Sequence, residues 1–162
     1  MPSAVAYRTS TATAGGVPLV AATAKTVLNV ISPAGHGLAF TEISVTFDGA
    51  ISTAAPAFVE ICQSTQGVAG TSVTAVTPVQ VRGRSSGGQA PTAGSNYSAE
   101  PTALTAIWGD FVPVFNGFVL IQYGTGNELE IDSSAGTVKA LALRITAPAG
   151  VNARVVMECC NL

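Results

Sequence analysis

Charged side chains are scarce in this chain. Only 10% of its 162 residues are Asp, Glu, Lys or Arg, against roughly a quarter in an ordinary soluble domain. A compact monomer of 16.2 kDa should expose roughly 7,500 Å². Its seven basic and nine acidic residues then leave about 470 Å² of surface per charge. Soluble monomers seldom expose large apolar areas, so the composition predicts a subunit whose surface is partly covered by partners.

Basic residues are especially few. The chain has seven of them, a net charge of −2 and no basic cluster, so it lacks the electrostatic attraction that usually drives nucleic-acid binding. Long hydrophobic runs are also missing. The longest one, residues 111–121, is interrupted by Pro113, Asn116 and Gly117 and is much shorter than the ~20 residues of a membrane helix. We therefore expect neither nucleic acid nor membrane as a partner.

The first thirty residues show no cationic start followed by an apolar core, the pattern of a signal peptide. We therefore expect synthesis and folding in the cytoplasm of the cell. The three cysteines, Cys62, Cys159 and Cys160, form no disulfide-framework spacing, and adjacent residues of a strand point to opposite faces, which disfavours a shared metal. We predict free structural thiols, with a bridge from Cys62 to one of the pair, or a bond between chains, as the alternatives.

Sequence motifs of catalysis and nucleotide binding are absent as well. The single histidine, His36, lies between two glycines in a predicted turn, where we expect an exposed loop residue. Neither a G-x-S-x-G nucleophile motif nor a glycine-rich phosphate loop occurs. We expect no enzymatic activity, no cofactor and no metal site.

What the chain does contain is alternation of apolar and polar residues, which predicts strands with one buried face. It is clearest over 42–48, 141–146 and 151–158, and Pro148-Ala149-Gly150 predicts a hairpin between the last two. Weaker strand predictions cover five further segments, 24–31, 57–64, 73–82, 111–123 and 127–132. About eight short strands without helical periodicity indicate an all-β sandwich or barrel.

The remaining segments define the domain organisation. Residues 1–16 read as an extended N-terminal arm and residues 17–162 as one β domain. Residues 83–101, rich in Ser, Gly, Ala and Pro, predict a long loop, and loops of such length are usually functional or disordered.

Three acidic residues form the nearest approach to a chemical cluster. Glu128, Glu130 and Asp132 alternate with apolar residues, which places them on one face of a strand, ~6.5 to 7 Å apart. We interpret them chiefly as a solvated face that protects a sheet edge. Ion binding and glycosidase-like acid–base chemistry are the alternatives.

Aromatic residues crowd one region, with Trp108, Phe111, Phe115 and Phe118 close in sequence. At strand spacing we expect most of them in the core, and otherwise as interface anchors or a sugar-binding platform. Arg82 and Arg84 lie two residues apart, a spacing that would allow bidentate binding of a carboxylate or phosphate. A salt bridge to a neighbouring subunit is the simpler expectation.

Three stretches carry a resemblance to a known family: residues 41–49, residues 100–102 leading to Trp108, and residues 141–152. In these the chain resembles the small β-sandwich virion proteins of tailed bacteriophages that decorate or cement the capsid. The resemblance implies a jelly-roll-like antiparallel sandwich, a homotrimer, and binding to the lattice of the major capsid protein on the capsid exterior. The arm, including Tyr7 and Arg8, is then a candidate contact with a neighbouring subunit.

Two other functions stay open. A carbohydrate-binding or receptor-binding sandwich of a virion or cell surface would use Trp108, Tyr97 or Tyr123 as a stacking platform, with the 83–101 loop as its rim. The third possible function is an enzyme whose active site is the acidic face of Glu128, Glu130 and Asp132. The single histidine and the small number of convergent polar groups argue against it.

Overall fold

The computed structural model describes residues 5–11, 16–48, 55–68, 73–83, 89–115 and 117–162, and these contain strands but no helix. The first seven strands are β1 (Ala6–Ser10), β2 (Val17–Leu19), β3 (Ala24–Ile31), β4 (Gly37–Asp48), β5 (Ala57–Ser64), β6 (Thr74–Val76) and β7 (Val79–Arg82). The next six are β8 (Thr92–Ser95), β9 (Thr105–Val112), β10 (Phe118–Gln122), β11 (Leu129–Asp132), β12 (Ala140–Thr146) and β13 (Val151–Asn161).

The strands form two antiparallel sheets. In the first, here called the β13 sheet, the order is β10-β4-β13-β1-β7, with β11 also paired to β4 and β2 also paired to β13. In the second, the β12 sheet, the order is β6-β8-β3-β12-β5-β9. The prediction of a single-domain, all-β antiparallel sandwich is confirmed, with 13 strands in the described residues rather than about eight.

One hydrophobic core lies between the sheets, and alternation along the strands supplies it. On β13, Val151, Ala153, Val155, Met157 and Cys159 are buried while the residues between them are more exposed. From the β12 sheet the core receives the side chains of Val27, Val30, Val59, Ile61, Leu141, Leu143 and Ile145. The period of two therefore orients both sheets toward the same interior.

The predicted hairpin between the last two strands is wrong. β12 pairs with β3 and β5, whereas β13 pairs with β4, β1 and β2. The turn at Pro148–Gly150 carries the chain from one sheet to the other. Alternation of apolar and polar residues shows that a strand buries one face. It does not show whether two such strands pair within one sheet or pack face to face across the core.

Two segments predicted as single strands are each divided. Residues 73–82 become β6 and β7, and residues 111–123 become the end of β9 and all of β10. Each break contains a proline, Pro78 or Pro113, which lacks the N–H that a continuous strand needs. Each break also moves the chain from the β12 sheet to the β13 sheet. The connections from β6 to β7 and from β9 to β10 therefore each cross a lateral side of the sandwich.

The predicted extended arm and long loop are also partly wrong. Residues 6–10 form β1, which lies within the β13 sheet between β13 and β7, and residues 92–95 form β8, paired with β3 and β6. Both strands consist largely of small or hydroxylated residues, so neither shows the strong alternation that identifies a strand. Residues 1–4, 12–15 and 84–88 lie outside the described residues.

Candidate interaction surface

One lateral side of the sandwich ends in β9 and β10, and we call these strands with their connection the β9–β10 edge (residues 105–122). β9 is the last strand of the β12 sheet and pairs with β5, while β10 pairs with β4 at the border of the β13 sheet. An outermost strand presents a row of backbone groups that another chain is able to pair with. The β9–β10 edge is therefore a natural place for contact with a partner.

Three phenylalanines are strongly exposed on this edge. Phe111, Phe115 and Phe118 are 65%, 64% and 58% exposed. Phe111 lies opposite Phe58 on the outer face of the β12 sheet, with 5.0 Å between the ring centroids. Phe118 lies opposite Thr46 on the outer face of the β13 sheet, and Phe115 lies in the connection between the strands. The phenylalanines therefore form a ridge around the edge.

The expectation that most of these aromatic residues belong to the core is wrong. Only Trp108 packs partly against the core, opposite Ile61. Phe111 and Phe118 alternate with core-facing residues and therefore lie on the outer faces of the two sheets, and Phe115 lies in the connection between β9 and β10. Ile107 and Leu120, which no sequence pattern indicated as interface residues, are exposed on the same edge.

The β9–β10 edge is almost free of charge. Asp110 is the only charged residue between 105 and 122, and it is exposed. Its carboxylate accepts a hydrogen bond of 2.7 Å from the backbone N–H of Phe111. An apolar surface with a single acidic group is thereby presented to solvent.

The opposite lateral side carries an apolar groove between β6 and β7, which we call the β6–β7 groove. Its volume is about 460 Å³, within the ~300–1,000 Å³ range of ligand clefts. It is lined mainly by apolar and neutral side chains, among them Ala75, Val76, Val79, Val81 and Ser95. Val79 and Val81 are exposed. In the sequence, strand β7 is indicated by the alternation of these two valines with Gln80 and Arg82 after Pro78.

The candidate interface arginines lie beside the groove. Arg8 donates a hydrogen bond of 2.7 Å to Glu158, and Arg82 lies 3.7 Å from the other oxygen of the same carboxylate. Both arginines thus form an ion pair within the chain, although their side chains remain 51% and 60% exposed. Arg84 lies outside the described residues. Tyr7, by contrast, is 5% exposed and belongs to the core.

Two of the three acidic residues lie on a strand at the border of the sheet, as predicted, and the third does not. Glu130 and Asp132 are exposed on β11, which pairs with β4 next to β10. Glu128 precedes the strand and accepts a hydrogen bond of 2.6 Å from the N–H of Gly126. Hydrogen bonds from Ser134 hold the pKa of Asp132 below its ordinary value. Across the described ranges, no three His, Cys, Asp or Glu side chains are grouped so as to hold a metal ion.

A second groove, of about 730 Å³, lies over the outer face of the β13 sheet. Glu128 and Glu130 line it together with Glu42, Glu158 and Tyr123. The groove combines carboxylates with one aromatic ring.

The predicted stacking platform of Trp108, Tyr97 and Tyr123 does not form as a whole. Tyr97 is buried, and its hydroxyl accepts a hydrogen bond of 3.3 Å from the side-chain amide of Asn29. Trp108 and Tyr123 are half-buried and pack partly against the core. Tyr123 lines the groove over the β13 sheet, whereas Tyr97 lines a separate, smaller cavity of about 230 Å³ beside Lys25 and Glu100.

The cysteines are free, as predicted. Cys62 and Cys159 are buried, and burial raises the pKa of both thiols, that of Cys159 to about 12. Cys160 is partly exposed and its sulfur lies 3.7 Å from a guanidinium nitrogen of Arg82. Buried thiols of raised pKa are unreactive, so Cys62 and Cys159 act as core residues.

His36 occupies the predicted turn, where its backbone N–H donates to Pro33. It is half-buried rather than fully exposed, and its carbonyl oxygen accepts hydrogen bonds from the Ser32 hydroxyl and the backbone N–H of Ser133. In the residues described above, no helix has the length and apolar character to cross a bilayer.

Comparison of the chain with protein-family models, with curated proteins and with solved structures gives no match.

Proposed function

We propose that this protein is a structural virion subunit that decorates or cements the capsid of a tailed bacteriophage, by binding the lattice of the major capsid protein, as a homo-oligomer and most simply a trimer. The observation that supports this best is the exposed phenylalanine ridge of the β9–β10 edge. Three large aromatic side chains on a nearly uncharged edge are typical of the anchors at the centre of protein interfaces.

The mechanism is mechanical. Burying apolar surface stabilises a contact by roughly 25 cal/mol per Å², and several contacts made by one oligomer reinforce each other because the second binds at high effective concentration. A protein that works in this way holds shell subunits together on the outside of the virion and needs no catalytic residue and no cofactor.

The test is co-sedimentation of the purified protein with shells assembled from the major capsid protein of the same virus. We expect the wild-type protein to sediment with the shells. Phe118→Ser should weaken this binding about tenfold or more, since burying a phenylalanine is worth ~1.5–3 kcal/mol. Val68→Ser is the matched control, because Val68 is 71% exposed and lies outside both the ridge and the groove. Absence of wild-type binding overturns the proposal.

A carbohydrate-binding module is the second candidate, and the groove over the β13 sheet favours it. Tyr123 and the carboxylates of Glu42 and Glu130 line this groove, and sugar sites combine an aromatic ring with polar hydrogen-bonding groups. Binding of the purified protein to a glycan panel, lost in Tyr123→Ala and retained in Phe118→Ser, would support this alternative over shell binding.

A further inference from the structure

We propose that the β9–β10 edge of one copy of this chain docks into the β6–β7 groove of the next copy. The inference rests on the proposed function in that it treats the protein as an assembly subunit, and it names which two surfaces of the chain meet. Because it assigns the ridge to the contact between copies, Phe118→Ser then weakens shell binding by removing the multiple contacts that one oligomer makes. The contact is heterologous, because the two partners contribute different surfaces.

The topology places the two surfaces on opposite lateral sides. In the β13 sheet β10 and β7 are the two ends of the strand order, and in the β12 sheet β9 and β6 are the two ends. The same copy therefore presents a ridge on one side and a groove on the other, and contact with one neighbour leaves the second surface free for another.

The shapes and polarity of the two surfaces correspond. On the ridge, Phe115 lies in the connection at the lateral side, flanked by Phe111 on the outer face of one sheet and Phe118 on the outer face of the other. The groove is a concavity of about 460 Å³ with apolar walls of Val76, Val79 and Val81. A standard interface covers roughly 800 Å² on each partner, about a tenth of the 7850 Å² that this chain exposes.

The charges are complementary. Asp110 is the only charged residue of the segment 105–122, and Arg82 is the only charged residue of the segment 74–82. Arg8 lines the groove and shares the Glu158 carboxylate with Arg82, so these three side chains together leave one net positive charge beside the groove. Opposite charges on the two surfaces favour ridge against groove over ridge against ridge, which would bring two Asp110 carboxylates together.

A heterologous contact closes into a ring when its rotation allows closure and otherwise continues as a filament. The experiment therefore uses two variants that each lose one surface, at positions where the side chain is more than 60% exposed. Phe115→Asp disables the ridge, and Val79→Asp disables the groove. Val68→Asp introduces the same charge at a valine that is exposed elsewhere.

Sedimentation equilibrium of the full chain measures the assembly over a hundredfold concentration range. We expect wild type and Val68→Asp to associate, and each of the other variants to remain a monomer when alone. Mixed one to one, the two variants should form a dimer that contains one of each, because the pair retains a single intact ridge and a single intact groove. Thermal unfolding checks that the variants fold, and Phe118→Asp and Val81→Asp replace any that does not.

Three outcomes overturn the inference: a wild-type protein that is monomeric throughout, a Val79→Asp variant that assembles like wild type, and a mixture that stays monomeric. The first also removes the homo-oligomer from the proposed function, but it leaves shell binding standing if the monomer still sediments with shells. Association through ridge and groove without shell binding, conversely, supports the inference and contradicts the proposed function.

Discussion

Arg144 and Glu60 face each other on the neighbouring strands β12 and β5, and the guanidinium of Arg144 donates two hydrogen bonds to the Glu60 carboxylate, at 2.9 and 3.2 Å. The two side chains are only 26% and 12% exposed. These hydrogen bonds raise the pKa of Arg144 above its ordinary value. In a chain with so few charges, this pair is the best-sheltered ion pair of the described residues.

Replacing Glu60 with glutamine should lower the free energy of unfolding by about 1–3 kcal/mol, because a hydrogen-bonded partner of a partly buried charge is lost. Urea unfolding measures the change. Glu130→Gln is the control, since Glu130 is exposed on β11, and it should shift the stability by less than about 0.5 kcal/mol. Equal effects of the two substitutions would show that the Arg144 pair contributes nothing of its own.

The buried thiol of Cys159 predicts a loss of stability at alkaline pH. In the unfolded chain a cysteine ionises near pH 8.5, whereas burial keeps the folded thiol protonated up to about 12. The unfolded state therefore releases a proton first, and the free energy of unfolding should fall above pH 9 by up to about 1.4 kcal/mol per pH unit.

The measurement is urea unfolding between pH 7 and pH 10.5, with the slope against pH as the readout. Cys159→Ala should reduce this slope, while Cys160→Ala, at a partly exposed position, should reduce it less. If Cys159→Ala leaves the slope unchanged, other groups cause the alkaline loss, Cys62 with its raised pKa being the next to examine.

Gly109 makes room for an aromatic ring. A Cβ atom at this position would lie 2.8 Å from Cζ of Phe58, which packs against Phe111. Gly109→Ala should therefore displace the Phe58 ring and destabilise the protein by about 1 kcal/mol. In a Phe58→Leu background the same substitution should cost less, because the contact that it violates is gone. Additive effects of the two substitutions would contradict this explanation.

Tyr97 is predicted to matter for stability and not for ligand binding. Tyr97→Phe removes the hydrogen bond to the fully buried Asn29 and should lower the free energy of unfolding by about 1–3 kcal/mol. Replacing both partners, as Asn29→Leu with Tyr97→Phe, should recover part of the loss, because no buried amide is left unpaired. A change in glycan binding without a change in stability would overturn this assignment.

The sequence predicts a strand well where the residues of that strand and its flanking turns are enough to specify it. The weak patterns over 24–31 and 57–64 coincide with the bounds of β3 and β5, because apolar residues and flanking turns define those strands locally. Strands β1 and β8 were missed because their small and hydroxylated residues gain their burial from neighbouring strands. The pairing of β12 and β13 was wrong because alternation specifies a buried face and leaves the partner strand open.

The same distinction applies to the candidate surface. The sequence indicates Phe111, Phe115 and Phe118 as candidate interface residues, and the scarcity of charge predicts that apolar residues lie on the surface. Only the fold shows that these three are the exposed ones, since it places Phe111 and Phe118 on the outer faces of the two sheets and Phe115 in the connection that contains Pro113. The β6–β7 groove was not predicted at all, because it depends on the relative position of two sheets.

Strands β1 and β13 pair in the sheet, although the ribosome synthesises β1 long before β13. Tyr7 lies opposite Cys159 in the sheet, and ribosomes add about 5–20 residues per second. The nascent β1 therefore waits roughly 8 to 30 seconds for its partner strand. During translation β4 also lacks β13, so the sheet that contains both is assembled only once residues 151–161 have left the ribosome. We expect the incomplete chain to depend on chaperones that cover its unpaired strands until then.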